Sequence, residues 1–215
     1  MFESMRRVFV ESVEKTWHTL ASHGEAGEQP WDEEPNLYKK DIMMCASQLR
    51  DGVDVDVKVQ AIRKMGHLAY TGGTDVAKFT GSYLETLSVI LKDDTSPPSL
   101  KTQVVKSLSE ICRAHRDNCQ RAESLALTPD LARLIQANES EPRLVRWCCY
   151  ALVVLCSSGM SYLRTLMEWS DGDSGSFKET LEELENESWK GWPRNYAAVL
   201  RDFLGHVTVD LNVKK

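Results

Sequence analysis

Cys112, His115 and Cys119 stand at i, i+3 and i+7, a spacing that puts two thiols and an imidazole on one face of a continuous helix. Those are ligand types that zinc prefers, and Cys148 or Cys149 would supply a fourth. Structural zinc sites usually draw their ligands from paired knuckles, however, and no C-x-x-C occurs here. The polar run AHRDN also predicts a break in the helix between the two cysteines. The three are read as core cysteines and a surface histidine, and no metal site is expected.

The run TGGTD, Thr71 to Asp75, is glycine-rich but lacks the lysine and the preceding strand of a phosphate-binding loop. It reads as a helix boundary, with Gly72 ending one helix in the left-handed conformation and Thr74 or Asp75 capping the next. The chain holds no G-x-S-x-G, no H-E-x-x-H and no pair of carboxylates set into an apolar context. The acids Glu182, Glu183, Glu185 and Glu187 read as a solvated helix face. No catalytic residue and no cofactor are expected, and the chain is predicted not to be an enzyme.

The elements that carry these residues follow from composition and period. A chain of 215 residues with 42% hydrophobic content is long enough to bury about 70% of its unfolded surface, so it needs no covalent staple. Five of its six cysteines, Cys45, Cys112, Cys148, Cys149 and Cys156, fall at apolar helical positions, as small hydrophobes do. A net charge of −6 argues against nucleic acid as a partner. No apolar window approaches the roughly 20 residues of a membrane span, and the acids scattered through MFESMRRVFVESVEKTW exclude a signal peptide there. A cytoplasmic chain in a reducing compartment is expected, with no membrane insertion.

Three segments align without gaps: VKVQAIRKMGHLA, LKTQVVKSLSEIC and LVRWCCYALVVLC, starting at Val57, Leu100 and Leu144, 43 and 44 residues apart. Each ends in an aliphatic–small pair, and each follows a short amphipathic helix and a polar turn, as in PDLARLIQANESEP. Thr128 reads as an N-cap before Pro129, while Pro97, Pro98 and Pro142 read as turn residues. A helical period of about 40–47 residues marks a stacked solenoid. The expected fold is all-α: a short right-handed α-solenoid of armadillo-like repeats with an N-terminal helix and a C-terminal helical cap.

Boundaries follow from punctuation. Residues 1–21 place Phe2, Met5, Phe9, Val13, Trp17 and Leu20 on one face of an N-terminal amphipathic helix, which packs as a cap or docks on a partner. Residues 22–36 form an acidic linker, 37–169 the repeats and 170–176 a second linker. Residues 177–205 form the helical cap, in which Gly191 and Pro193 force a turn and Trp189, Trp192 and Tyr196 cover the end of the stack or bind a partner. In the tail, 206–215, Val207, Val209, Leu211 and Val213 alternate as in a strand, predicting an extended arm that pairs with a partner's sheet, lies along the solenoid or is disordered.

PDLARLIQANESEPRLVRWCCYALVVLC resembles the second and third helices of an armadillo repeat. In armadillo proteins that bind extended peptides, the third helices line a concave groove in which Trp makes apolar slots and Asn, one turn later, holds the peptide backbone. By that resemblance the Trp positions here fall on Arg63, Lys106 and Tyr150, and the Asn positions on His67, Glu110 and Val154. The ladder of Trp and Asn is absent, so a groove for basic peptides is not expected. A mixed-charge face suited to a folded partner or a single helix remains, with Tyr150 as its anchor. Three further runs, GHLAYTGGTDVAKFTGSYL, RWCCYALVVLC and WKGWPRNYAAVLRDFLG, are similar to the armadillo-like helical domain-containing proteins. That resemblance implies no known catalysis. The expected role is an adaptor or scaffold among protein partners in a multi-subunit assembly, in the cytoplasm, a cilium or a sperm flagellum. The alternative is a stand-alone reversible peptide-binding module.

Overall fold

Apolar residues recur at helical spacing through most of the chain, and among the described residues they form eleven helices and no strand. The computed structural model describes residues 37–137, 140–172 and 176–212. Helices α1 (Leu37–Ser47) and α2 (Val55–Thr71) come first, then α3 (Thr74–Gly81), α4 (Leu84–Lys92) and α5 (Pro98–Ala114). Helices α6 (Arg116–Ser124), α7 (Leu127–Ala137) and α8 (Pro142–Ser158) repeat that short–short–long order, and α9 (Met160–Gly172), α10 (Ser176–Asn186) and α11 (Tyr196–Asn212) follow. All lie in one compact unit, Pro35–Lys215. The N-terminal helix and acidic linker expected over 1–36 fall outside the described residues.

The long helices stack in series, α2 on α5, α5 on α8 and α8 on α11, and each of α4, α7 and α10 packs on the long helix that follows it. The result is the expected helical solenoid. Of the pair expected as the C-terminal helical cap, α11 packs on α8 as α8 packs on α5, and α10 packs on α11. Inward positions of α8, including Leu144, Cys148, Cys149, Leu152 and Leu155, are fully buried, as are Val104, Leu108 and Ile111 of α5. All six cysteines are free and buried. Among the described residues no helix is long and apolar enough to cross a membrane.

Several boundaries differ from the sequence expectation for local reasons. Pro98 and Pro142 open α5 and α8 at the first helical turn, where a missing N–H costs nothing, rather than lying in the preceding turns. Gly73, not Gly72, takes the left-handed conformation, with φ +83 against −86. Thr128 is buried inside α7 rather than capping it. Helix α9 reaches Gly172, absorbing part of the predicted second linker, and α11 continues to Asn212. The predicted extended tail is thus helical over its first residues, while Val213 lies outside the described residues. Propagating an established helix adds a hydrogen bond per residue, and a valine costs it only about 0.5 kcal/mol, so a short alternating run does not stop it.

Buried polar contacts set how closely the units approach. A Cβ at Gly66 would come within 2.7 Å of Ser107 Oγ and nearer still to Glu110 Oε2, so only glycine lets α5 lie this close to α2. Ser107 Oγ donates to Ile62 O at 2.9 Å and accepts from Gln103 Nε2 at 3.0 Å. A second notch lies at Gly81, where a Cβ would overlap the Asn118 amide. Asn118 Nδ2 donates to Ala77 O and Ile111 O, each at 2.9 Å, tying α6 to α3 and α5. Lys92 adds a surface link between units, reaching Leu125 O at 3.2 Å and Asp130 Oδ2 at 3.1 Å. Asn118→Ala removes both donors from a buried site and is expected to destabilise the fold by about 2–3 kcal/mol. Urea unfolding checks this, and a midpoint equal to that of wild type would show that the amide adds nothing.

Candidate interaction face

Helix α8 turns its aliphatic and cysteine residues inward, which leaves Trp147, Tyr150 and Val154 half-buried at i, i+3 and i+7 along one side. The neighbouring long helices carry matching stripes, Arg63, His67 and Tyr70 on α2 and Lys106, Glu110 and Arg113 on α5. Because the helices lie side by side, these stripes meet. Arg113 sits 5.5 Å from the Tyr70 ring centroid and donates from Nη1 to the Tyr150 hydroxyl at 2.5 Å. Tyr150 in turn packs edge-on against Tyr196 of α11, centroids 5.0 Å apart. Tyr70, Arg113, Tyr150 and Tyr196 therefore form a row with one member from each long helix.

A second row runs beside the first. Lys106 Nζ lies 5.5 Å from the Trp147 ring, and Trp147 packs at 4.9 Å against Trp192. The expected level rungs are staggered. Lys106 meets Trp147, one turn from its sequence equivalent Tyr150, and Tyr150 takes Arg113 instead. Arg63 is exposed, with Nη1 donating to Gln60 Oε1 at 3.3 Å. His67 is also exposed, and Val154 is half-buried against the core. Burial holds the Glu110 carboxyl above the ordinary glutamate range, an effect only partly offset by Lys106, His67 and Arg113 around it. Burial likewise raises the Tyr150 and Tyr196 hydroxyls, with Arg113 pulling the other way on both.

The turn between α10 and α11 supplies the last aromatic residues, and it divides their roles. Trp189 packs against the core, and its indole N–H donates to Leu184 O at 2.8 Å. Arg146 lies 5.7 Å from its ring and pairs with Glu187 at 3.7 Å. Gly191 takes φ +85, which only glycine adopts readily, and Trp192 N then donates to Trp189 O at 3.0 Å. Pro193 is exposed. Asn195 starts α11, its Oδ1 accepting from Ala198 N at 3.1 Å while its Nδ2 donates to Glu185 O at 2.8 Å. Trp189 thus belongs to the packing of this unit. Trp192 and Tyr196 stand on the face beside Trp147 and Tyr150, rather than over the end of the stack.

Tyr70, Arg113 and Trp147 were missed as face residues by the sequence reading. The signal was present, since Tyr70, Arg113 and Trp147 each sit three positions from a named stripe residue. The alternative zinc cluster is not assembled. His115 is extended, at φ −154, and its Nδ1 accepts from Asp117 N at 3.1 Å as the cap of α6, while Cys112 Sγ donates to Asn118 O at 3.8 Å. Among the described residues no group of three His, Cys, Asp or Glu could hold a metal.

A family model described as armadillo-like helical domain-containing protein 2 matches residues 6–207. No curated protein matches the chain. Armadillo-like helical families are typically non-catalytic.

Two outcomes follow from this geometry. Trp189→Ala is expected to cost about 2–4 kcal/mol and Trp192→Ala less, because only the first opens a cavity against the core; paired urea titrations measure the difference. For Glu110, a carboxyl whose folded pKa lies above its unfolded value contributes stability that is complete below the unfolded pKa and lost as pH rises through the folded one. Glu110→Gln removes that loss, so calorimetry should show the variant melting higher than wild type at about pH 7 and no higher at about pH 4.

Proposed function

The chain belongs to the armadillo-like helical domain-containing protein 2 family, and we propose that it works as a non-enzymatic adaptor holding protein partners in a larger intracellular assembly. The observation that carries this reading is the row of Tyr70, Arg113, Tyr150 and Tyr196 across four successive long helices. Tyrosine, tryptophan and arginine are the residue types that dominate binding hot spots. A stacked solenoid supplies an extended surface rather than an enclosed pocket, which suits a macromolecular partner. Arg63, His67, Lys106, Glu110, Tyr150 and Val154 line this face in the proposal, joined by Trp192, Pro193 and Tyr196 from the last unit. Trp189 supports them from beneath. The ciliary or flagellar setting of the assembly rests on the family resemblance alone.

A second reading, a stand-alone module that binds one peptide reversibly, is favoured by the joining of a charged end and an aromatic end in one continuous face. Affinity purification of the tagged full chain separates the two. Wild type is compared with a Tyr70→Ala/Trp192→Ala variant and with Val89→Glu, a change at an exposed α4 position outside the face. The adaptor reading expects a stable set of proteins with wild type and Val89→Glu that is lost from the face variant, whose circular dichroism stays native and whose melting stays cooperative. A wild type that purifies alone would favour the stand-alone module. The same set retained by the face variant would remove this face as the dock.

A further inference from the structure

The chain as a whole is acidic, at −6, yet the part of the face built by α2 and α5 is cationic. Arg63, Lys106 and Arg113 rise from it, with His67 among them. Glu110, the carboxylate among them, is half-buried and outnumbered by these cations. Lys106 and Arg113 lie over the Trp147 and Tyr70 rings at 5.5 Å each, contacts that position their cationic head groups. Side by side with these cations stand Trp147, Tyr150 and Trp192. A ligand that matched both halves would carry negative charge beside a large apolar group.

The positions that would hold an extended peptide backbone are His67, Glu110 and Val154, and none is an amide side chain. Without a ladder of amides, the face offers an extended segment no regular set of partners for its backbone N–H and C=O groups, and each that is buried unpaired costs about 1–3 kcal/mol. A helix brings those groups already paired.

We infer that this face takes an acidic amphipathic helix of a partner protein, its Asp and Glu side chains on Arg63, Lys106 and Arg113 and one bulky apolar residue against Trp147, Tyr150 and Trp192. This inference rests on the docking-face reading above and narrows it to one class of ligand. Arginine and lysine discriminate by charge at long range, which also repels basic segments.

The test pans a displayed library of short peptides against the immobilised full chain and measures the selected synthetic peptides by fluorescence anisotropy. The expected peptides are rich in Asp and Glu around an aromatic or aliphatic residue and gain helical circular dichroism when bound. They should bind Arg63→Glu and Lys106→Glu about tenfold more weakly than wild type, and weaken similarly between about 0.05 M and about 0.5 M salt as the Debye length shrinks. Peptides without acidic excess that are lost with Tyr70→Ala/Trp192→Ala would overturn the acidic helix and leave the docking face standing. Peptides that bind every variant like wild type, or a library that yields none, would overturn both.

Discussion

The structure depends on how closely α5 can lie against α2. That distance is set at Gly66, where any Cβ would run into Ser107 and Glu110, and it is held by the Ser107 hydroxyl on Ile62 O. Apolar burial supplies most of the stabilisation, at about 25 cal/mol per Å², but it is non-directional and would tolerate a helix slid by a turn. The buried hydroxyl is directional. Slide α5 and Ser107 loses its carbonyl while Glu110 loses the notch beside Gly66. The same register brings Arg113 over Tyr70, so the candidate face inherits its geometry from a glycine in the core.

Much of this architecture was legible because a solenoid repeats one burial problem. Leu68, Ile111 and Leu155 answer it with the same pattern of inward positions, and that pattern is visible in a single chain. The last unit stood outside the repeat in the sequence because a longer connection, including the WKGWP turn, delays its long helix and spoils the period. The tail was misread because Val207, Val209 and Leu211 show a period of two, while the helix leading into them continues through. At Thr71–Asp75 two adjacent glycines could each have taken the left-handed turn, and composition does not say which one does.

The candidate face was harder to read for a geometric reason. Sequence alignment of repeats pairs equivalent positions, Lys106 with Tyr150 for example, as though neighbouring helices were level. Side chains several bonds long reach instead to whatever ring lies within range. Lys106 finds Trp147, and Arg113, seven positions beyond Lys106 on the same stripe, reaches Tyr150. A stripe can be predicted from one helix alone, but the partner of each residue in it depends on how far the two helices are offset.

The two tryptophans of the WKGWP turn show how one short stretch serves both packing and surface. Trp189 is fixed by its indole hydrogen bond to Leu184 O and by contact with the core. Trp192 is carried to the other side of the turn because Gly191 can take positive φ. From there it packs against Trp147, Trp189 and Tyr196 in edge-to-face contacts, so its ring is held in place by the fold. The same holds for Lys106 and Arg113, which rest on rings. A free lysine or arginine side chain gives up about 1.5–2 kcal/mol of rotamer entropy when it is immobilised. Residues ordered in advance by the fold would not lose it again if a partner bound them.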